Sequence, residues 1–393
     1  MLQIDHVYEF LYQELFKDFD FWHLHSGVAK PEPVSSDILV FTPYQDVNKI
    51  IFFYDQEPYI PQLVNPYLEF CLKNIKERLP NLNTHVLVTS EYSDALSACA
   101  SNKNFHLLYY FFHGFAALDW YRGYYSLNYN RSVIKNAQHD FISFNRIITD
   151  DRSYRIYFVS LLKEYNLLAK GLVSFGVTDD VESSWQDEVS DPKTKLSDRS
   201  KLHIEHHLVD IHKLVIDHSH IHGSASADIP RTIDSFWPNN DRSDFDALWH
   251  IVTETVFYYD KLHLTEKIFK PIVSKQPFML LAAPGNLAYL KRYGFKTFDG
   301  IIDESYDQIQ DNDARIEAVV KQISWYCNLS AEDKQQVIEA ITPIVEYNFQ
   351  HFYGEFKQVL TQELLDNSKA LFKEIGYDDS SIDYQSIHHV LTK

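Results

Sequence analysis

The chain contains no run of about 18 apolar residues, so the sequence offers no membrane span. Its first residues include Asp5 and lack a basic stretch followed by an apolar one, so no signal peptide is expected. A soluble, cytoplasmic protein is the expectation. Cysteine is scarce: Cys71, Cys99 and Cys327 lie far apart and fit no metal-ligand spacing, which implies buried thiols in a reducing compartment rather than a disulfide framework. Basic residues are outnumbered, 36 Lys and Arg against 55 Asp and Glu, and the formal charge of -19 argues against a protein that wraps nucleic acid. No Gly-x-Gly-x-x-Gly, no His-Glu-x-x-His and no internal repeat occurs.

What is present suffices for sizeable cores: 393 residues, 45% of them hydrophobic and 15% aromatic, predict two or three domains. In the first 140 residues, apolar runs at 37–41, 49–53, 85–89 and 105–110 read as buried strands, with a helix over 66–79. From about residue 140 the alternation restarts. A strand at 141–145 precedes an amphipathic helix marked by Tyr154, Tyr157, Phe158, Leu161, Leu162 and Tyr165. The run 248–257 is apolar, a short strand at 278–283 follows, and Pro284-Gly285-Asn286 is a turn that opens another helix through Tyr293. From Ser330, an N-cap, a helical period runs almost to Leu360, with Pro343 and Gly354 expected to kink or interrupt it. The expected architecture is α/β, two units facing a cleft: residues 1–139, and residues 140–393 with closing C-terminal helices.

Residues 178–245 differ from the rest. They are polar, rich in Ser and Asp and without sustained periodicity, which predicts an insertion or a mobile excursion in the second unit. His203, His206, His207, His212, His218, His220 and His222 fall here. His203 and His207 have the i, i+4 spacing that can clamp a metal on one helical face, but a third ligand is not evident, so a polar helix and loop is the preferred reading and no metal is assigned.

The segment 264–276 carries the clearest chemical signal. Thr265, Glu266 and Lys267 stand at the first turn of a helix, soon after the apolar run. Helix N-terminal amides attract an anion, Lys267 adds a point charge, and Glu266 can accept from ribose hydroxyls or a base edge, which is one way to hold a nucleoside diphosphate. An ordinary capped surface helix is the plainer alternative. Asn145 and Arg146 end the strand at 141–145, where they can touch phosphate.

Val252-Thr253-Glu254 followed by Leu264-Thr265-Glu266-Lys267, together with the segment from Phe141 to Arg146 and the helix headed by Arg155, resembles the α1,3-fucosyltransferase family, inverting glycosyltransferases of GT-B fold. Similar patterns occur in phage and bacterial glycosyltransferase-like proteins. The resemblance covers roughly residues 140–300 and implies two Rossmann-like domains facing a cleft, with the donor in the C-terminal one. It implies that Arg155 and Lys267 grip the donor diphosphate, with Arg152 a competitor for Arg155, and that Glu266 lies near the ribose or base. The family's Asn-Ser after its strand glutamate is replaced by Thr255-Val256, so the sugar is left open, as is a hexosyl or fucosyl activity. Pro271 should shorten the donor helix.

An inverting transfer needs one base and several cations for the leaving group. No Asp-x-Asp beside a strand is evident, and two cations at a helix terminus need no metal; the nucleotide sugar is then a co-substrate and no cofactor is expected. Glu57 is the first choice of base, since Tyr54-Asp55-Gln56-Glu57-Pro58 follows an apolar strand directly, and Asp55 is the second. The alternative for this segment is a solvated turn. His113, after another strand, is a catalytic candidate or a structural hydrogen-bonder. A surface glycan is the expected acceptor, with a modified DNA base as one rival reading and a non-catalytic nucleotide-binding or assembly protein as another.

Overall fold

The computed structural model describes residues 7, 10–23, 49–54, 56–78, 83–123, 125, 137–176, 184–211, 214 and 247–392. The strand expected at 37–41 lies outside them. The chain divides into two compact units, Met1–Asp119 with Glu355–Lys393, and Trp120–Gly354. This differs from the sequence reading in two places: the first change of unit precedes residue 139, and the last 39 residues belong with the first unit.

The first unit is built on a parallel sheet of β1 (Asp20–His23), β2 (Lys49–Tyr54), β3 (Thr84–Thr89) and β4 (Phe105–Tyr109), in that spatial order. Runs such as Ile50-Ile51-Phe52-Phe53 are buried at every position, as a parallel sheet covered on both faces requires. Helices α1 (Pro61–Arg78) and α2 (Asp94–Lys103) make the crossovers. Ile50, Phe52, Leu87 and Phe105 pack there against Leu68, Leu96 and Cys99. Ser93 caps α2 by accepting from the Leu96 amide. Helix α3 (Phe112–Trp120) follows β4 after two residues.

The second sheet has the order β6-β5-β7-β8, all parallel, from β5 (His139–Ser143), β6 (Gly171–Val173), β7 (Ala247–Thr253) and β8 (Phe278–Leu281). Helix α4 (Tyr154–Glu164) connects β5 to β6. From β5 the chain has moved to one side for β6, and it returns to the other side for β7 and β8. The strand order therefore reverses between β5 and β7, the kind of switch point beside which α/β sheets bind ligands.

Part of the polar stretch 178–245 is helical: α5 (Trp185–Ser190) and α6 (Asp198–His207). Each is capped by a serine, Ser184 in a reciprocal capping box with Asp187 and Ser197 accepting from the Ser200 amide. They bury few apolar side chains, chiefly Trp185, Val189 and Ile204, which is too little for a sustained period.

After β7 come α7 (Phe269–Val273), only five residues long with Pro271 inside it, and after β8 α8 (Asn286–Arg292). Helix α9 (Asn312–Cys327) packs against α4 and β8. Helix α10 (Ala331–Tyr353) runs through Pro343 without a break and stops at Gly354, where a Cβ would meet the Gln350 carbonyl oxygen at 2.8 Å. Helix α11 (Phe356–Ile375) then packs on β4 of the first unit's sheet, donating from Asn367 Nδ2 to the Tyr109 carbonyl at 2.9 Å, and α12 (Tyr384–Thr392) packs on α11. That packing is why the C-terminal helices belong to the first unit. Cys99 and Cys327 are buried free thiols, and the side chain of Cys71 lies outside the described residues. Among the described residues no helix is long and apolar enough to cross a membrane.

Candidate functional site

The second unit has a cavity of about 240 Å³ beside the switch point. Its lining comes from the residues that follow β5, from the second half of β7, and from the turn after Thr265. Five cations face it, Arg146, Arg152, Arg155, Lys267 and Lys270, against one carboxylate, Glu266. Tyr121 and Phe144 supply aromatic walls. In a chain of net charge -19 this is a local reversal of sign.

The strand ends are stitched together first. Thr253 Oγ1 donates to the Phe144 carbonyl at 2.9 Å, and the Asn145 amide donates to Ser174 Oγ at 2.8 Å. Asn145 is fully buried, spends its Nδ2 on Ser143 Oγ at 3.1 Å, and stands behind the lining rather than in it. Arg155, 4% exposed at the start of α4, donates Nη1 to the Ile147 carbonyl at 2.8 Å and Nη2 to the Thr253 carbonyl at 2.7 Å. Its guanidinium thus bridges the chain leaving β5 to the end of β7. Both Nη atoms are engaged by the fold, so Arg146 and Arg152, both half-buried in the wall, are the better placed for an anion.

Glu254 organises the opposite wall. Fully buried at the end of β7, its carboxylate accepts from Thr265 Oγ1 at 2.6 Å, from the Thr265 amide at 3.2 Å and from the Thr255 amide at 3.2 Å. Burial pushes its pKa up, while the charge of Lys267 and the bonds from Thr265 oppose that. Thr265 in turn caps a single 3-10 turn, Glu266–Ile268, whose tightness follows from Pro271 so close behind. Lys267 Nζ lies within hydrogen-bond distance of Thr255 Oγ1 at 3.2 Å, Thr265 Oγ1 at 3.1 Å and Glu266 Oε1 at 3.1 Å. Its side chain keeps 36% exposure and faces the cavity. Glu254 and Thr265 are therefore positioning residues, and Glu266 and Lys267 are the groups presented.

Several lining residues escaped the sequence reading, among them Lys270 and His250. Lys270 lies 4.1 Å above the Phe144 ring, and His250, on β7, is 4% exposed. Burial, followed by the charge of Lys270, pushes the His250 pKa from an ordinary 6.5 down to about 3, so the ring is neutral near pH 7. It hydrogen-bonds Gln276, whose Nε2 is committed to the Ala247 carbonyl, and its buried Nδ1 has no partner among the described residues. A neutral acceptor is thereby held beside the cations. The spacing of Lys270 from Lys267, one helical turn, was the available signal for the first; His250 reads in sequence as one more position of a buried strand.

The remaining candidates are in the first unit, beyond the carboxyl ends of its strands. Asp55 lies outside the described residues. Glu57 is half-buried in the bend after β2. His113, in the first turn of α3, is buried and donates from Nε2 to the Gln56 carbonyl at 2.8 Å, which brings it to the loop of Glu57. Tyr54 Oη donates to the Pro58 carbonyl at 3.1 Å, and the Tyr59 amide donates to Glu91 Oε2 at 2.7 Å, so the loop is pinned on both sides of Glu57. Glu91, 2% exposed after β3, is a carboxylate the sequence did not single out.

No protein-family model matches the chain, and no curated protein or solved structure matches it either.

Proposed function

We propose that the chain is an inverting glycosyltransferase that takes a sugar from a nucleoside-diphosphate donor held in the second unit's cavity and passes it to a hydroxyl acceptor, without a metal at the donor site. The observation that carries this reading is the convergence of Arg146, Arg152, Lys267 and Lys270 beside the strand-order reversal of a parallel sheet. An anion of high charge density is the ligand such a group selects, and the carboxylate of Glu266 at its margin suits the hydroxyls of a ribose. At about 240 Å³ the cavity is smaller than the roughly 300–1,000 Å³ of pockets that enclose a whole ligand, so it suits a diphosphate and ribose, with the sugar emerging from it.

In this reading the cations stabilise the charge that builds on the departing diphosphate, which is the main electrostatic requirement of the transfer. Glu57 is the proposed base, with Asp55 second and His113 fixing the loop. The acceptor proposed is a glycan hydroxyl.

A thermal-shift screen against UDP, GDP, ADP, CMP and their sugars tests the binding step, because a ligand of the native state raises the melting temperature. At least one nucleoside diphosphate is expected to do so, and Lys267→Ala with Arg146→Ala to abolish the shift. A chain whose melting point responds to none of them has another ligand. Binding with no release of nucleoside diphosphate, over a panel of glycan acceptors, would leave a nucleotide-binding protein and remove the transferase.

A further inference from the structure

A second cluster of polar side chains in the second unit lies at the end of α4 remote from Arg155. Helix α6 packs against α4 there. His203 and His207 are one turn apart on α6, with their rings stacked at 4.3 Å between centroids. The Glu164 carboxylate, from the last residue of α4, lies 3.1 Å from His203 Nε2. One ligand atom from each of the three residues falls within 4.8 Å of the other two.

The hydrogen bonds around His203 decide what this arrangement offers. Ser160 Oγ gives its single proton to the Tyr157 carbonyl at 2.7 Å, so towards His203 Nδ1, 3.0 Å away, it can only accept. Nδ1 therefore carries the ring proton. The Nε2 lone pair of the neutral ring then points at a carboxylate oxygen, acceptor against acceptor. A positive charge is needed between them, supplied either by a second proton or by a cation. The stacked His207 ring favours the cation, since a metal ion uses a second imidazole as a ligand whereas a proton on His203 gives that ring no role. An imidazole whose other nitrogen is held by a polar group is also how metal-binding histidines are oriented.

We propose that Glu164, His203 and His207 bind one zinc-class divalent cation, with water completing its shell, and that the ion pins α6 to the carboxyl end of α4. Two imidazoles and a carboxylate are a zinc donor set. Ligand atoms about 2.1 Å from a tetrahedral ion are roughly 3.4 Å apart, so the group closes by at most about 1.4 Å on binding. Lys163, next to Glu164, is paired with Asp210 at 2.9 Å. Helix α4 has 11 residues, a length of about 16 Å, so the ion is a structural clamp separate from the donor cavity.

The test is a calorimetric titration of Zn²⁺ into the metal-stripped full chain near neutral pH. The wild type is compared with Glu164→Gln, Ser160→Ala, His203→Ala/His207→Ala, and a variant with His218, His220 and His222 all changed to Ala. The wild type and the last variant are expected to bind one ion per chain with equal affinity. Glu164→Gln and the His203/His207 pair should bind at least about 100-fold more weakly, and Ser160→Ala about tenfold more weakly. Zn²⁺ should raise the melting temperature of the wild type but not of the pair. Wild-type affinity in the pair, or a loss confined to the variant lacking His218, His220 and His222, overturns the proposal. Should the pair fail to fold, Glu164→Gln decides alone, and unchanged affinity there overturns it.

Discussion

The two parallel sheets differ in the one property that matters for ligand binding. Among the described residues, the first unit's strands follow one another in space as they do in sequence, β1-β2-β3-β4, whereas the second unit's order β6-β5-β7-β8 reverses once. Successive crossovers in one direction leave no gap between neighbouring strand ends, while a reversal sends the two connections apart and opens one. The cavity lies at that reversal. The chemistry follows the same division. Beyond the carboxyl ends of the first sheet stand carboxylates, Glu57 and Glu91, with His113 held by a backbone carbonyl. At the second sheet's carboxyl ends stand five cations. Cations and carboxylates are thus gathered on separate sheets, which is the separation that the proposed transfer would need between anion capture and proton removal.

The strongest challenge to that contrast is Arg155→Met. It removes a fork that ties the Ile147 and Thr253 carbonyls and leaves both without that donor, for an expected loss of about 3 kcal/mol in denaturant unfolding, together with donor binding. If Arg155 were chiefly a phosphate ligand, stability would be nearly unchanged. Glu57→Gln comes next: donor affinity held, turnover lowered about 100-fold, as steady-state kinetics and nucleotide titration together would report. Lys267→Ala and Arg146→Ala should each weaken nucleotide binding about tenfold with little change in melting temperature, the signature of a group presented to ligand rather than used by the fold.

The remaining effect is in pH. His250 has a folded pKa of about 3 against an ordinary 6.5, so the unfolded chain binds the extra proton first. Its contribution to stability is complete above about pH 6.5 and is lost as pH falls towards 3, at up to about 1.4 kcal/mol per pH unit. His250→Gln should flatten that part of the stability profile measured by urea unfolding between pH 4 and pH 7.

Much of this was legible in the residues. The runs that became β2, β3, β4, β7 and β8 are continuous and apolar because a doubly covered parallel strand has no polar face. β1, Asp20-Phe21-Trp22-His23, has polar residues at both ends, and β6, three residues long, contains Gly171, so neither leaves such a trace. The C-terminal helices were legible as helices but not as part of the first unit, since an amphipathic stripe does not name the sheet it covers. Within the site, Glu266 and Lys267 were found through a capping pattern. Arg155 was found without its main task, because sequence shows a guanidinium but not the carbonyls it meets. Lys270 and His250 stayed hidden for the opposite reason, being polar residues buried in otherwise apolar stretches.

The bonds from Arg155 to the Ile147 and Thr253 carbonyls have a thermodynamic consequence. They set the span between the ends of two strands while the chain folds, so that span is not a variable left for the ligand to fix. Donor recognition should then proceed with little ordering of the main chain, and differences among nucleotides should emerge in how long each stays rather than in how fast it arrives.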